Sequence, residues 1–179
     1  MNKTAVIYES KYGFTKRYAE WIAEALSCPA FERKKFCPKD FPQYDTVIYG
    51  GGLYAGSVSG IRLITENWRL LSDKKIVLFT CGLANPEDPY NISNIRETLS
   101  KILSDDMMKQ ICLFHLQGGI DYSRLNLIHK TMMSILRKML LKKDEHSLRK
   151  EDRLILETYG QNLDFTNKES IRPLVEYVL

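Results

Sequence analysis

Tyr8-Glu9-Ser10-Lys11-Tyr12-Gly13-Phe14-Thr15 is the stretch on which the reading of the fold turns. It leaves a short apolar run, Thr4–Tyr8, and enters a helical pattern over 14–27 with Phe14, Tyr18, Trp21, Ile22, Ala25 and Leu26 on one face. A strand that ends in a small-residue turn and passes straight into a helix aims the first free amides of that helix at the sheet edge. With the partial positive charge of the helix start, such a turn suits a phosphate. Ser10 and Thr15 add hydroxyls, and Gly13 allows a tight bend. The alternative is an ordinary strand–helix turn with Thr15 as the N-cap.

Three further runs resemble the first: Thr46–Tyr49, Lys75–Thr80 and Gln110–Leu116, with a weaker strand at Ala30–Arg33. They are nearly continuous in apolar and β-branched residues rather than alternating. This is expected of strands covered on both faces, hence of a parallel sheet between helices. Helical spacing recurs at 58–71, 92–103 and 168–178. The expected fold is α/β, a doubly wound parallel sheet of five strands in the order 2-1-3-4-5. The chain reads as one domain over 1–179, with an extra helical insertion at about 120–166 before the last helix. That insertion carries a long helix at 123–143 and a shorter one at 148–159.

The other strand ends are also rich in small residues. The third runs into Gly50-Gly51-Gly52-Leu53-Tyr54-Ala55-Gly56-Ser57, the fourth into Cys81-Gly82-Leu83-Ala84-Asn85, and the fifth into Gln117-Gly118-Gly119. Ligands of open α/β sheets sit at the carboxyl ends of the strands. The glycines are expected to let a flat ligand close to the backbone, with Tyr54 as an aromatic partner. The first turn lacks both G-x-x-x-x-G-K-[ST] and G-x-G-x-x-G, which disfavours a nucleotide-hydrolysing loop and a nicotinamide dinucleotide site. Cys28, Cys37, Cys81 and Cys112 form no C-x-x-C and have no histidine cluster beside them, so no metal site is expected. His115, within the fifth run, reads as a core histidine.

On these residues the chain resembles the flavodoxins. Their phosphate turn reads approximately [TS]-x-T-G-x-T, and Ser10, Gly13 and Thr15 match it, with Tyr12 where the central threonine would stand. The resemblance implies flavin mononucleotide (FMN) as cofactor. Its phosphate would be held by Ser10, Lys11, Tyr12, Gly13, Phe14 and Thr15. Its ring would lie between Gly51, Gly52, Leu53, Tyr54, Ala55 and Gly56 on one side and Cys81, Gly82 and Leu83 on the other, with Gly118 and Gly119 nearby. A closer likeness is to the menaquinone-dependent protoporphyrinogen dehydrogenases of flavodoxin type. These carry G-x-x-x-Y before a basic, Met-rich helix, as Gly118 to Tyr122 does before Arg124–Lys143 here. This implies an FMN oxidoreductase, with a quinone as a candidate acceptor. The alternative is a soluble electron carrier shuttling single electrons between redox proteins.

The chain has a net charge of +4 over 179 residues, unevenly spread. Residues 124–153 hold nine Lys/Arg against four Asp/Glu, while the remainder is nearly neutral. Carriers usually dock through an acidic face, so this balance favours the enzyme. The basic segment lacks interleaved aromatics, which argues against nucleic acid. Three readings of the helix at 123–143 stay open: plain packing, a lid over a flavin pocket, or peripheral membrane contact. No run approaches the length of a membrane span and the N-terminal residues lack a signal-peptide pattern, so a cytoplasmic, membrane-associable protein is expected.

Overall fold

The computed structural model describes residues 3–54 and 56–179. They divide into two compact units, one comprising residues up to Gly118 together with Thr166–Leu179, the other Gly119–Phe165.

The first unit is built on a parallel sheet. Its strands are β1 (Thr4–Glu9), β2 (Ala30–Glu32), β3 (Thr46–Tyr54), β5 (Lys75–Gly82) and β6 (Cys112–Gln117). They are ordered β2-β1-β3-β5-β6, and a short β4 (Ser57–Val58) pairs antiparallel with the end of β3. Leaving out β4, this is the 2-1-3-4-5 order, so the fold is the flavodoxin-like α/β architecture that the sequence implied. The near-continuous apolar runs are explained by cover on both faces. Ile7, Val47, Tyr49, Ile76 and Leu78 pack on one side with Phe41, Ile64, Leu71 and Leu99. Their chain neighbours Val6, Ile48, Val77 and Phe79 pack on the other with Tyr18, Ile22, Ile171 and Leu174. The period of two thus sends successive side chains into two different cores.

Helix α1 (Phe14–Ala25) covers the second face and ends in a Schellman motif. Cys28 N–H reaches Ala23 O at 3.0 Å and Ser27 N–H reaches Glu24 O at 3.2 Å, with Ser27 at φ 50. The fully buried Tyr18 ties this helix to distant chain. Its hydroxyl donates to Gln117 O at 2.7 Å and accepts from Asn167 N–H at 3.1 Å. The C-terminal α7 (Arg172–Val178), preceded by a 3₁₀ turn at Lys168–Ile171, packs through Ile171 and Leu174 on the same face.

Three stretches differ from the sequence reading. The helix expected over 58–71 is mostly absent. Val58 continues the hairpin with β3, Gly60 turns the chain at φ 69, and only α2 (Arg62–Thr65) and a 3₁₀ turn at Trp68–Leu70 are helical. The apolar spacing there serves burial of Val58, Ile61, Ile64 and Leu71, not a continuous helix. Helix α3 (Pro89–Ser100) starts earlier than 92, because Asp88 accepts from Tyr90 N–H and Pro89 takes the first helical position. Gln110 closes α4 (Asp105–Gln110), capped by Ser104, and does not open the fifth parallel strand.

The second unit is small and mixed α/β. Strands β7 (Gly119–Asp121) and β8 (Asn162–Asp164) pair antiparallel and bracket α5 (Leu127–Leu140) and α6 (Lys150–Glu157). Asn126 caps α5 by accepting from His129 N–H at 2.8 Å. Tyr122 and Tyr159 meet edge-on at 5.1 Å, Arg137 lies 4.9 Å above the Tyr159 ring, and Lys143 pairs with Asp152 at 3.1 Å.

His115 in β6 is a core histidine whose Nδ1 lies 2.8 Å from Thr80 Oγ1 and whose buried Nε2 has no partner among the described residues. Burial, reinforced by Arg96, pushes its pKa down from 6.5 to about 4. Below 6.5 the unfolded chain takes up a proton that the folded chain refuses, so stability falls with pH through that window. The loss should reach about 2 kcal/mol near pH 4 once partial exposure is allowed for. Urea unfolding from pH 7 to 4 should show this slope, and His115→Gln should flatten it.

Candidate functional site

The turn at the end of β1 has the form of an anion cradle. Ser10 Oγ accepts from Gly13 N–H at 3.0 Å, and Gly13 takes the left-handed conformation at φ 97 as the residue before α1. The first helical bond runs from Arg17 N–H to Gly13 O at 3.0 Å, so the amides of Phe14, Thr15 and Lys16 precede it. No acidic side chain lies in the first turn to offset the helix charge. Thr15 is buried inside that turn and is not the N-cap. A Cβ built on Gly13 would meet no atom within 4 Å, so the turn opens onto free space.

The other strand ends come to this turn. Tyr54, at the end of β3, accepts from Lys11 N–H through its hydroxyl at 3.3 Å. Its ring stands edge-on to Tyr12 at 5.8 Å and lies 4.9 Å beneath Lys11 Nζ. Burial raises the Tyr54 pKa to about 12, so its hydroxyl stays protonated. Gly118 N–H donates to Gly82 O at 2.7 Å, and Gln117 Nε2 donates to Leu83 O at 3.1 Å. A side chain at Gly118 would strike Cys81 Sγ at 2.7 Å and approach Phe14 Cβ at 3.3 Å; one at Gly82 would touch Leu53 at 3.0 Å. Phe14, Leu53, Cys81, Gly82, Leu83 and Gly118 are therefore close neighbours because three loops lack bulk there.

The glycines of β3 do something other than the sequence suggested. The space a side chain would fill is taken at Gly50 by the Phe79 ring, at Gly51 by Val58 and Ser59, and at Gly52 by Tyr54. On their side-chain side they admit neighbouring protein groups: a ring from β5 at Gly50, the β3–β4 hairpin at Gly51 and the ring of Tyr54 at Gly52. Gly56 sits exposed at the hairpin tip at φ 72, and Ala55 lies outside the described residues. Gly119 belongs to β7 in the second unit, paired with Asp164.

The sequence reading passed over Glu9 and Arg33. They form an ion pair, and with Tyr49, whose hydroxyl donates to Ser59 O at 2.8 Å, they enclose Gly60. This fixes the 57–62 loop and walls a cleft of about 360 Å³ beside Tyr54, lined by Glu9, Lys11, Arg33 and Arg62 among others. Glu9 was signalled by its place at a strand end; nothing in sequence pattern points to Arg33.

The family model described as flavodoxin domain matches residues 5–147, well over half of the chain. No curated protein matches in sequence. Among solved structures, a flavoprotein of Bacteroides eggerthii shares 18% identity over 64% of this chain and 86% of its own, with a TM-score of 0.46. A flavoprotein of Lactobacillus acidophilus in complex with FMN shares 14% over 65% and 93%, at 0.45. Oxidised flavodoxin 1 of Bacillus cereus shares 13% over 64% and 84%, at 0.41.

Proposed function

We propose, from the premise that this chain belongs to the flavodoxin domain family, that it holds FMN at the turn before α1 and works as an FMN-dependent oxidoreductase. The observation that carries this reading is the turn itself: three leading amides, an uncompensated helix start and open space beside Gly13. The donor set fits a phosphate dianion. FMN, when bound, supplies one- and two-electron redox chemistry.

The roles of the chain follow from where its groups stand. Ser10, whose hydroxyl already shapes the turn, and the amides up to Thr15 would bind the phosphate. Leu53 and Tyr54 would border the ring on one side and the backbone of Cys81, Gly82 and Leu83 on the other; Leu53 lies against Gly82 and Phe14 against Gly118 in this structure, so these loops would part to admit it. Tyr54 takes the Lys11 amide in this structure, so cofactor entry competes with that bond.

The enzyme reading is favoured over the carrier by the cleft beside Tyr54. Arg33 is neutralised by Glu9, while Lys11 and Arg62 add positive charge at its wall. Such a cleft suits a small substrate bearing carboxylates, and a protein-to-protein carrier has no need of it. Within this class a protoporphyrinogen-to-quinone reaction is the specific candidate. The test is anaerobic reduction of the FMN-loaded protein followed by mixing with a menaquinone analogue, and of the oxidised protein with protoporphyrinogen. Rapid electron transfer in both is expected. Transfer to a redox protein alone, with neither small molecule reacting, would replace the enzyme with the carrier.

A further inference from the structure

Helix α5 leaves an apolar stripe uncovered. Ile128, Met132, Ile135 and Met139 are spaced four, three and four residues apart and so fall on one line along the helix. Ile128 is 69% exposed, Met132 37%, Ile135 53% and Met139 61%; Leu127 and Leu141 are exposed too, but lie off this line. Elsewhere among the described residues, exposed large apolar side chains occur only one or two at a time. The helix contacts α6, and its buried residue, Leu140, lies about 100° around the helix from Met139, off the stripe. A patch of this kind on a folded chain marks an interaction surface.

The charge around the stripe selects the occupant. Lys138, one residue before Met139 on the helix, and Lys142, just past its end, are exposed, and residues 124–153 carry a net +5. An apolar line bordered by lysines matches the layered chemistry of a bilayer with anionic headgroups, acyl chains meeting the stripe and phosphates meeting the lysines. A second copy of this chain is disfavoured, because a symmetric contact would bring both sets of lysines together. A nucleic acid is disfavoured by the stripe itself. No helix among the described residues is long and apolar enough to cross a membrane, so the contact is with the surface.

We infer that α5 docks this protein on anionic lipid surfaces, lying in the headgroup layer with Ile128, Met132, Ile135 and Met139 inward. The inference does not depend on FMN binding.

The test is flotation of the full chain with vesicles of phosphatidylcholine containing about 30 mol% phosphatidylglycerol, against vesicles of phosphatidylcholine alone. Binding is expected on the anionic vesicles, weakened about tenfold or more without the anionic lipid and likewise at about 0.5 M salt. The double substitution Ile135→Glu with Met139→Glu should abolish flotation. Both side chains are exposed, so circular dichroism should stay unchanged. Hydrogen exchange on the unmodified chain gives a second readout, with protection on adding anionic vesicles confined to 127–143. Failure to float at millimolar lipid, equal flotation with neutral vesicles, or protection elsewhere in the chain would overturn the inference. So would a vesicle-free dimer abolished by the same double substitution.

Discussion

Ser10→Asp is expected to lower FMN affinity by at least about a hundredfold while leaving the fold intact. The two consequences separate because Ser10 has two neighbours of different kinds. Toward the protein it is an acceptor, its Oγ taking the Gly13 amide at 3.0 Å. An aspartate in the same place can accept that bond, and carboxylates are good partners for amides at a helix start. Toward the cradle the new group is a fixed negative charge. A carboxylate about 5 Å from a phosphate dianion repels it by about 3–7 kcal/mol at an effective dielectric of roughly 20–40. Fluorescence-quenching titration of the FMN-free protein measures the loss, and a thermal melt without FMN should show a midpoint near that of the unmodified chain. Unchanged affinity would mean that the phosphate is held elsewhere.

Gly50→Ala should strike the fold instead, destabilising it by about 3 kcal/mol. The added Cβ would stand 2.1 Å from Phe79 Cζ and 2.5 Å from Cε1. Phe79 lies opposite Gly50 in the β3–β5 register and is fully buried. Its ring has nowhere to swing, so either the two central strands separate or the core around Tyr18 and Ile48 shifts. Gly13→Ala is the control: nothing lies within 4 Å of its Cβ, and only the strain of φ 97 remains, about 1 kcal/mol. Urea unfolding of both variants without FMN should rank them in that order. A Gly50→Ala loss below that of Gly13→Ala would contradict the packing described for β3.

Much of the architecture could be read before the structure because burial on both faces leaves its mark directly in sequence. Val6-Ile7 and Ile48-Tyr49 are adjacent apolar pairs, and each residue of a pair belongs to a different core. The turn at Ser10–Thr15 was legible for a related reason, since all its parts are contiguous. Features made by distant chain were not. The glycines Gly50 to Gly52 were read for a ligand, but what fills their space is Phe79, Val58 and Tyr54, and only tertiary packing sets those partners. The helix expected over 58–71 failed at Gly60, whose left-handed turn sits among Tyr49, Glu9 and Arg33. The basic helix of the insertion showed its amphipathic pattern plainly, while the exposure of Ile128, Ile135 and Met139 depends on which face α6 leaves open.

The proposed function requires that a phosphate be held by the leading amides at the start of α1. Calorimetric titration of the FMN-free protein with FMN and, separately, with riboflavin isolates that contact, since the two ligands differ only in the phosphate. Charge-assisted hydrogen bonds from Phe14, Thr15 and Lys16 amides, at about 1.5–3 kcal/mol each, predict FMN binding at least about a hundredfold tighter than riboflavin. Equal affinities for the two, or no heat with FMN at saturation, would contradict it.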